Sequence, residues 1–247
     1  DGQLTLTKNL NVPRIGPALD ADDTPRRDRL VVEYNTSTNP TFEGAVRDTS
    51  GRGNDGVFYG TSSYSVGEKA FVFTGDDTGR IEGRAGGAKG QWLHSSSLWF
   101  KFDVIEQKYL WIVGNQTTTG PGRGVIGCLL LSSKISFTLF GKEVNSTTVI
   151  KPGIWYHLAS VYRGGIFNAT NFEIYLNGVR EAISSVNNSG NESINITSEQ
   201  LFIGSTGGTN ELDGSISQFK LYNTALTADE VKTLYDMGRT GSVANPQ

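Results

Sequence analysis

The sequence is poor in the residues that build most catalytic and metal centres, with one cysteine and two histidines among 247 residues. A single cysteine excludes an intrachain disulfide. Cys128 lies in the apolar run VIGCLLL, where we expect a small buried side chain rather than a reactive thiol. The sequence also lacks a paired histidine and cysteine metal motif and a Gly-X-Ser-X-Gly nucleophile motif. These absences argue against thiol, serine and zinc chemistry.

Long charged blocks and long apolar runs are missing as well. The 22 lysines and arginines nearly balance the 25 acidic residues, which leaves a net charge of −3. Without a basic stripe or cluster, the chain has no electrostatic footprint for nucleic acid or for an anionic membrane surface. No apolar run approaches the roughly 20 residues that cross a bilayer. We therefore expect neither a nucleic-acid partner nor membrane insertion.

The chain is rich in glycine and in short runs with strand character. It contains 31 glycines, and 10% of its residues are aromatic. Strand patterns occur at residues 30–34, 57–59, 70–74, 97–102, 109–113, 125–131, 135–140, 154–162, 172–176 and 214–222. Short strands separated by turn residues, without alternating helices, predict an all-β chain folded as an antiparallel two-sheet β-sandwich.

Two of these strands carry specific expectations. Residues 154–162 alternate with Trp155 and His157 on one face, so we expect Trp155 in the core and His157 as a buried, hydrogen-bonded histidine. Asn177-Gly178 is a strong two-residue hairpin turn, and residues 182–185 are the expected partner of the strand that precedes it.

One short helix is predicted near the C-terminus. Thr227 and Glu230 form a capping box, and Val231, Leu234 and Tyr235 supply one apolar stripe. Gly238 is the expected stop signal.

The chain divides into three regions by pattern. Residues 1–29, with three prolines and a mixed charged run, are predicted to be an N-terminal arm or linker. Residues 30–238 form the predicted domain, and residues 239–247 the C-terminal tail.

Four segments, in order, resemble the laminin G-like, concanavalin A-like jelly-roll family. They are residues 48–60 (DTSGRGNDGVFYG), 69–82 (KAFVFTGDDTGRIE), 154–179 (from IWYHLASVY to FEIYLNGV) and 201–235 (from LFIGS to LDGSISQFKLYNTALTADEVKTLY). The resemblance implies a concanavalin A-like jelly roll. It also implies a domain that binds carbohydrate or mediates adhesion.

The resemblance further implies one structural calcium ion at the edge of the sandwich. The matching donors are the oxygens of Asp48, Asn54, Gly51, Gly53 and Asp213. Ser217 and Gln218 stand where relatives carry acidic residues, and Asp213 is the nearest substitute. The alternative is that Asp48 and Asn54 only cap turns through their own backbone.

Members of this superfamily include glycoside hydrolases, and their motif is only partly present here. Laminarinase-like enzymes carry Glu-X-Asp-X-X-Glu on one strand, and the nearest match is Lys101, Asp103 and Glu106. Lysine at the first position removes the nucleophile that a retaining mechanism requires. We therefore expect no enzyme, and a hydrolase or lyase remains a minor alternative.

The leading hypothesis is a non-catalytic recognition module whose partner is a glycan or a surface glycoprotein. Aromatic side chains would stack on sugar rings while loop arginines donate hydrogen bonds. The candidate residues are Tyr59, Tyr64, Trp92, Trp111, Arg84 and Arg123. The alternative for each is a place in the core or a scattered position on the surface. The second hypothesis is a structural module that decorates a capsid or spike and assembles as a homo-oligomer.

The sequence is also rich in Asn-X-Ser/Thr sequons. They place candidate glycosylation sites at Asn35, Asn115, Asn145, Asn168, Asn187, Asn191 and Asn195. Chance occurrence on an Asn- and Thr-rich surface is the alternative. Together with the recognition hypothesis, these signals predict an extracellular, cell-surface or virion-surface protein.

Overall fold

The computed structural model describes residues 24–76, 78–114, 125–139, 142–187, 193–205 and 210–241. These residues form two sheets in which every strand pairing is antiparallel, and one α-helix, which confirms the predicted sandwich. A short 3-10 helix, Arg27–Arg29, leads into the first strand. Most of the predicted N-terminal arm and the end of the predicted tail lie outside the described residues.

An eight-stranded sheet forms one layer. Its strands are β1 (Leu30–Tyr34), β5 (Ser63–Ser65), β6 (Ala70–Thr74), β8 (His94–Phe102), β13 (Tyr156–Tyr162), β14 (Phe172–Leu176), β15 (Val179–Arg180) and β18 (Asp213–Tyr222). The strand order is β15-β14-β13-β8-β18-β6-β5, and β1 also pairs with β18.

A ten-stranded sheet forms the second layer. Its strands are β2 (Thr41–Phe42), β3 (Ala45–Val46), β4 (Gly56–Tyr59), β7 (Arg80–Arg84), β9 (Tyr109–Gly114), β10 (Val125–Leu131), β11 (Lys134–Thr138), β12 (Glu143–Ser146), β16 (Ile183–Asn187) and β17 (Gln200–Ile203). The order is β16-β12-β11-β10-β9-β17-β7-β4-β3-β2.

The core lies between the two sheets because strand residues alternate between the faces. In β8, Leu98, Phe100 and Phe102 point into the shared core, whereas Trp99 faces outward. Cys128 is a free, fully buried thiol within this core, as expected.

The helix α1 (Ala228–Gly241) covers part of the outer face of the eight-stranded sheet. Its capping box is confirmed: the Glu230 N–H donates to Thr227 Oγ1 at 3.2 Å, and the Thr227 N–H donates to Glu230 Oε2 at 2.7 Å. The expected stop at Gly238 is wrong, because the helix continues to Gly241. Gly238 instead packs against Trp99, whose indole nitrogen would overlap a Cβ at this position.

The hairpin at Asn177-Gly178 is confirmed, with φ of 51° and 76° at its two turn residues. It joins β14 to the two-residue strand β15. The predicted partner at residues 182–185 is wrong, because the chain crosses over there and β16 pairs with β12 in the other sheet.

Alternation also fails at two predicted strands. In β18 the register shifts between Ser217 and Lys220, with Gln218 at φ 54°, so Ile216 and Phe219 both reach the core. Strand β13 begins only at Tyr156, which leaves Trp155 half-buried with the Lys101 ammonium 5.7 Å from its ring centroid. The core assignment of Trp155 is therefore wrong.

Candidate functional site

The turn at Asp48 is held by its own hydrogen bonds. Asp48 Oδ1 accepts from the N–H groups of Glu33 and Ser50, both at 2.9 Å. Asp48 Oδ2 accepts from the Asn54 N–H at 2.9 Å and from the Ser50 hydroxyl at 2.8 Å. The Asn54 amide in turn donates to the Val31 carbonyl at 2.9 Å. These contacts are those of a turn-capping carboxylate.

Four of the predicted calcium donors share this turn, whereas Asp213 lies far from it. The Glu33 N–H bound to Asp48 lies opposite Lys220 in the β1–β18 pairing, and Asp213 precedes Lys220 by seven residues along β18. At about 3.3 Å per residue the two acids are roughly 20 Å apart. Gly51 and Gly53 have φ of 84° and 72°, which fits tight turns. Asp213 therefore cannot replace the missing acids near Asp48, and its assignment as a donor is wrong. Calcium at the turn stays a prediction.

The residues that the structure describes contain no group of three or more His, Cys, Asp or Glu side chains that could hold a metal.

Two of the predicted stacking aromatics are buried and cannot meet a sugar. Trp111 is fully buried between the sheets, and Trp92 is 6% exposed and stacks on His94. Tyr64 packs its ring on Phe71 and donates its hydroxyl to the Thr36 carbonyl at 3.0 Å. The assignments of Trp92 and Trp111 are corrected accordingly.

Tyr59 is the predicted aromatic that the structure leaves accessible. Its side chain is 41% exposed, and the Arg80 guanidinium lies 4.5 Å from the ring centroid. Arg80 also bonds Glu82 at 2.6 Å. Arg123 lies outside the described residues.

The outer face of the ten-stranded sheet carries a continuous cross-strand row. Neighbouring Cα positions run through Ala45, Val57, Glu82, Phe202, Ile112, Gly127, Thr138, Glu143 and Asn187. Phe202 is half-buried near the middle of this row, beside Glu82. A Cβ at Gly127 would lie 3.0 Å from the Tyr109 ring, so glycine lets Tyr109 cover this part of the face.

A shallow depression of about 480 Å³ adjoins the row where β7 and β17 pair. It is lined by Gly83, Arg84, Lys89, Thr197, Ser198, Glu199 and Gln200. Arg84 pairs with Gln200 and lies two residues from Glu82, while Gln200 lies two residues from Phe202. Because side chains two residues apart in a strand share a face, Phe202 stands beside the depression on the same surface.

Glu199 organises the polar groups of this depression. It accepts from Arg84 Nη2 at 2.9 Å and from the Gly87 N–H at 3.1 Å, and Lys89 Nζ lies 3.6 Å away. The Gly87 hydrogen bond and then the Arg84 hydrogen bond lower the pKa of Glu199. The Arg84 and Lys89 side chains are each 72% exposed, so both cations keep donors facing solvent.

The depression is suited to binding a polyhydroxylated ligand. It offers charged and amide donors, a fixed carboxylate acceptor and a neighbouring aromatic ring, which are the groups that orient sugar hydroxyls and faces. Arg84 was identified from sequence. Phe202, Lys89, Glu199 and Gln200 were missed, because only the β7–β17 pairing brings them together.

The hydrolase-like motif does not form a carboxylate pair on one strand face. Lys101 donates to Glu68 Oε1 at 2.9 Å and lies 3.7 Å from Asp103, so the first position of the motif is a cation in an ion-pair cluster.

The predicted sequon asparagines differ in accessibility. Asn195 is exposed, whereas Asn35 and Asn168 are half-buried and accept hydrogen bonds within their own turns. Asn145 lies on β12 with its side-chain oxygen buried. Asn115 and Asn191 lie outside the described residues, as does the side chain of Asn187. Glycosylation stays a prediction.

Residues 74–232 match the family model described as the concanavalin A-like lectin/glucanases superfamily. The comparison with curated proteins gives no match. No helix in the described part of the chain is long and apolar enough to cross a membrane.

Several solved structures share the fold. Domain 4 of AbnA, a GH43 extracellular arabinanase from Geobacillus stearothermophilus solved with arabinotriose, aligns with a TM-score of 0.57 and 19% identity over 84% of this chain and 98% of that domain. The receptor-binding domain of botulinum neurotoxin C/D mosaic serotype aligns with a TM-score of 0.62 and 13% identity over 85% of this chain. The binding domain of Paraclostridial Mosquitocidal Protein 1 aligns with a TM-score of 0.61 and 17% identity over 85% of this chain. The alignments cover 51% and 52% of those two chains.

Proposed function

Because the chain belongs to the concanavalin A-like lectin/glucanase superfamily, we propose that it is a carbohydrate-recognition module. The observation that carries this proposal is the depression between Arg84 and Gln200, with Phe202 on the same sheet face. A sugar ring would pack on Phe202 while its hydroxyls exchange hydrogen bonds with Arg84 and Glu199.

The ligand class we favour is an oligosaccharide. The depression is open and shallow, so it suits a short stretch of a chain rather than an enclosed monosaccharide. The arabinanase domain, which shares the fold, was solved with arabinotriose. Its likeness supports the fold alone, so the sugar bound here is proposed from the donors, acceptor and ring described above.

We propose that the module is non-catalytic and acts outside the cell. Lys101 replaces the nucleophile position of the hydrolase-like motif, and its ammonium is engaged by Glu68. Of the three solved structures described above, two are binding domains, of a neurotoxin and of a mosquitocidal protein, and one is a domain of an extracellular enzyme.

A glycan array on the full chain, followed by calorimetry with the best ligand, tests the proposal. Binding that weakens when Arg84 or Phe202 is truncated supports it. An oligomer that binds no glycan would favour an assembly role instead.

A further inference from the structure

A buried carboxylate without a hydrogen-bond partner indicates a second ligand site, which is independent of the proposed glycan site. The Glu211 side chain, just before β18, is fully buried, and neither carboxylate oxygen has a hydrogen-bond partner. Burial of an ionised carboxylate without a donor or a counter-charge is strongly unfavourable. The native environment of Glu211 should therefore supply a partner.

The backbone of a neighbouring segment lies close to the Glu211 carboxylate. A Cβ at Gly79 would lie 2.0 Å from Glu211 Oε1, so a larger residue at this position would displace the carboxylate. A Cβ at Gly60 would likewise overlap the Thr78 backbone, which keeps the two loops close together. The Thr78 and Gly79 N–H groups lie close to this carboxylate.

A second carboxylate, that of Asp76, lies beside Glu211, because the Gly75 N–H donates to the Leu212 carbonyl at 3.1 Å and so pairs the two segments. Asp76 Oδ1 accepts from the Thr78 N–H at 3.0 Å and from the Thr78 hydroxyl at 2.8 Å, and Oδ2 accepts from the Thr61 hydroxyl at 2.8 Å. These bonds fix the position of the Asp76 carboxylate. Two adjacent carboxylates repel each other unless a proton or a cation lies between them.

We propose that Asp76 and Glu211 bind a divalent, oxygen-preferring cation of the calcium class, with water and backbone carbonyls completing its shell. Calcium takes six to eight oxygen ligands and accepts carboxylates in one- or two-oxygen contacts. The absence of sulfur or nitrogen from this pair disfavours softer metals. Asp76 is exposed, which gives an ion a route to the buried Glu211.

Two protein carboxylates give a weak site, in the range of roughly 10⁻⁴ to 10⁻³ M that is typical of extracellular calcium modules. At calcium tenfold above that dissociation constant, the melting temperature should rise by about 3 to 5 °C. The test is differential scanning calorimetry of the full chain, stripped with EDTA and then titrated with calcium chloride.

Glu211→Gln is the decisive variant. It removes the negative charge while keeping the shape, and its amide can donate to Asp76. Metal-free Glu211→Gln should therefore melt at or above the temperature of the metal-free wild type and show no calcium-dependent shift. Glu173→Gln is the matched control, because Glu173 is also buried but is paired with Arg163. That variant should lose stability and keep the calcium shift.

Either of two results would overturn the site. One is a wild-type melting temperature that does not respond to calcium up to about 10 mM, tenfold above the weakest expected dissociation constant. The other is a full calcium response in Glu211→Gln. The first result would mean that a shared proton joins the two carboxylates. If Glu211→Gln does not fold, Asp76→Asn applies the same criterion at an exposed position. A protein that binds no glycan but keeps the calcium-dependent rise in melting temperature would contradict the proposed function and leave the cation site standing. A protein that binds a glycan but does not respond to calcium would contradict the cation site alone.

Discussion

Nε2 of His157 lies 2.9 Å from the hydroxyl oxygen of Ser97 on the neighbouring strand, and both residues are buried. Burial lowers the pKa of His157 to about 3, and the Lys220 charge adds to the effect. Burial also lowers the pKa of His94 to about 4, opposed by its hydrogen bond to the Trp92 carbonyl. Both histidines are therefore neutral in the folded protein at neutral pH.

The lowered pKa values of these two histidines make the free energy of unfolding depend on pH. Below about pH 6.5 the histidines are protonated in the unfolded chain but not in the folded chain. Each histidine therefore lowers the free energy of unfolding by about 1.4 kcal/mol for every pH unit that the pH falls. The loss develops from pH 6.5 down to the folded pKa values. Glu211, whose pKa burial and then Asp76 raise to about 7, gives the opposite slope between about pH 4.5 and 7.

The difference between wild type and His157→Gln isolates the histidine contribution. Urea unfolding at several pH values from 7 to 4.5, in EDTA, should show that the variant loses stability less steeply than the wild type by about 1.4 kcal/mol per unit. Parallel profiles would show that His157 is not held neutral by the fold.

Two tryptophans should differ sharply when truncated. Trp99 is 1% exposed and stacks on Tyr235 of α1 at 5.6 Å, so Trp99→Ala should cost roughly 3–5 kcal/mol. Trp155 is half-buried beyond the end of β13, and Trp155→Ala should cost about 1 kcal/mol or less. Equal losses in urea unfolding would mean that Trp155 packs in the core after all.

Gly238→Ala should destabilise the fold although alanine favours helices. The added methyl would overlap the Trp99 indole, and such overpacking costs about 1–3 kcal/mol. Thr233→Ala, on the exposed side of the same helix, is the control and should be neutral or slightly stabilising. Thermal melts of both variants provide the comparison, and a Gly238→Ala protein as stable as wild type would contradict the packing.

Asp48→Ala should destabilise the protein whether or not calcium is present. It removes the acceptor for the Glu33, Ser50 and Asn54 N–H groups, and leaving the buried Glu33 donor unpaired alone costs about 1–3 kcal/mol. The melting temperature of this variant in EDTA and in calcium should differ by as much as that of the wild type. A variant that loses its calcium response would return the metal to this turn.

Local signals in the sequence predicted much of the architecture. The capping box at Thr227 and the Asn177-Gly178 turn depend on residues close in the chain, and both are confirmed. Short apolar runs located the strands for the same reason. The two-sheet sandwich followed from their number and spacing.

Features that depend on long-range pairing were not predictable. Trp92 and Trp111 resemble exposed stacking residues in sequence, and only the facing sheet shows that they are buried. Gly238 resembles a helix stop until Trp99 is placed beside it. Of the depression only Arg84 was identified in advance, since Glu199 reaches it across a sequence separation of 115 residues.

We propose that the surface around Arg84 and Phe202 binds a glycan. The most direct test is calorimetry with the best array ligand, comparing wild type, Arg84→Ala and Phe202→Ala with the control Arg180→Ala, an exposed arginine paired with Glu173 on the other sheet. We expect each site variant to weaken binding at least about tenfold, or about 1.4 kcal/mol, and the control to bind as the wild type does. Unchanged affinity in both site variants would contradict the assignment.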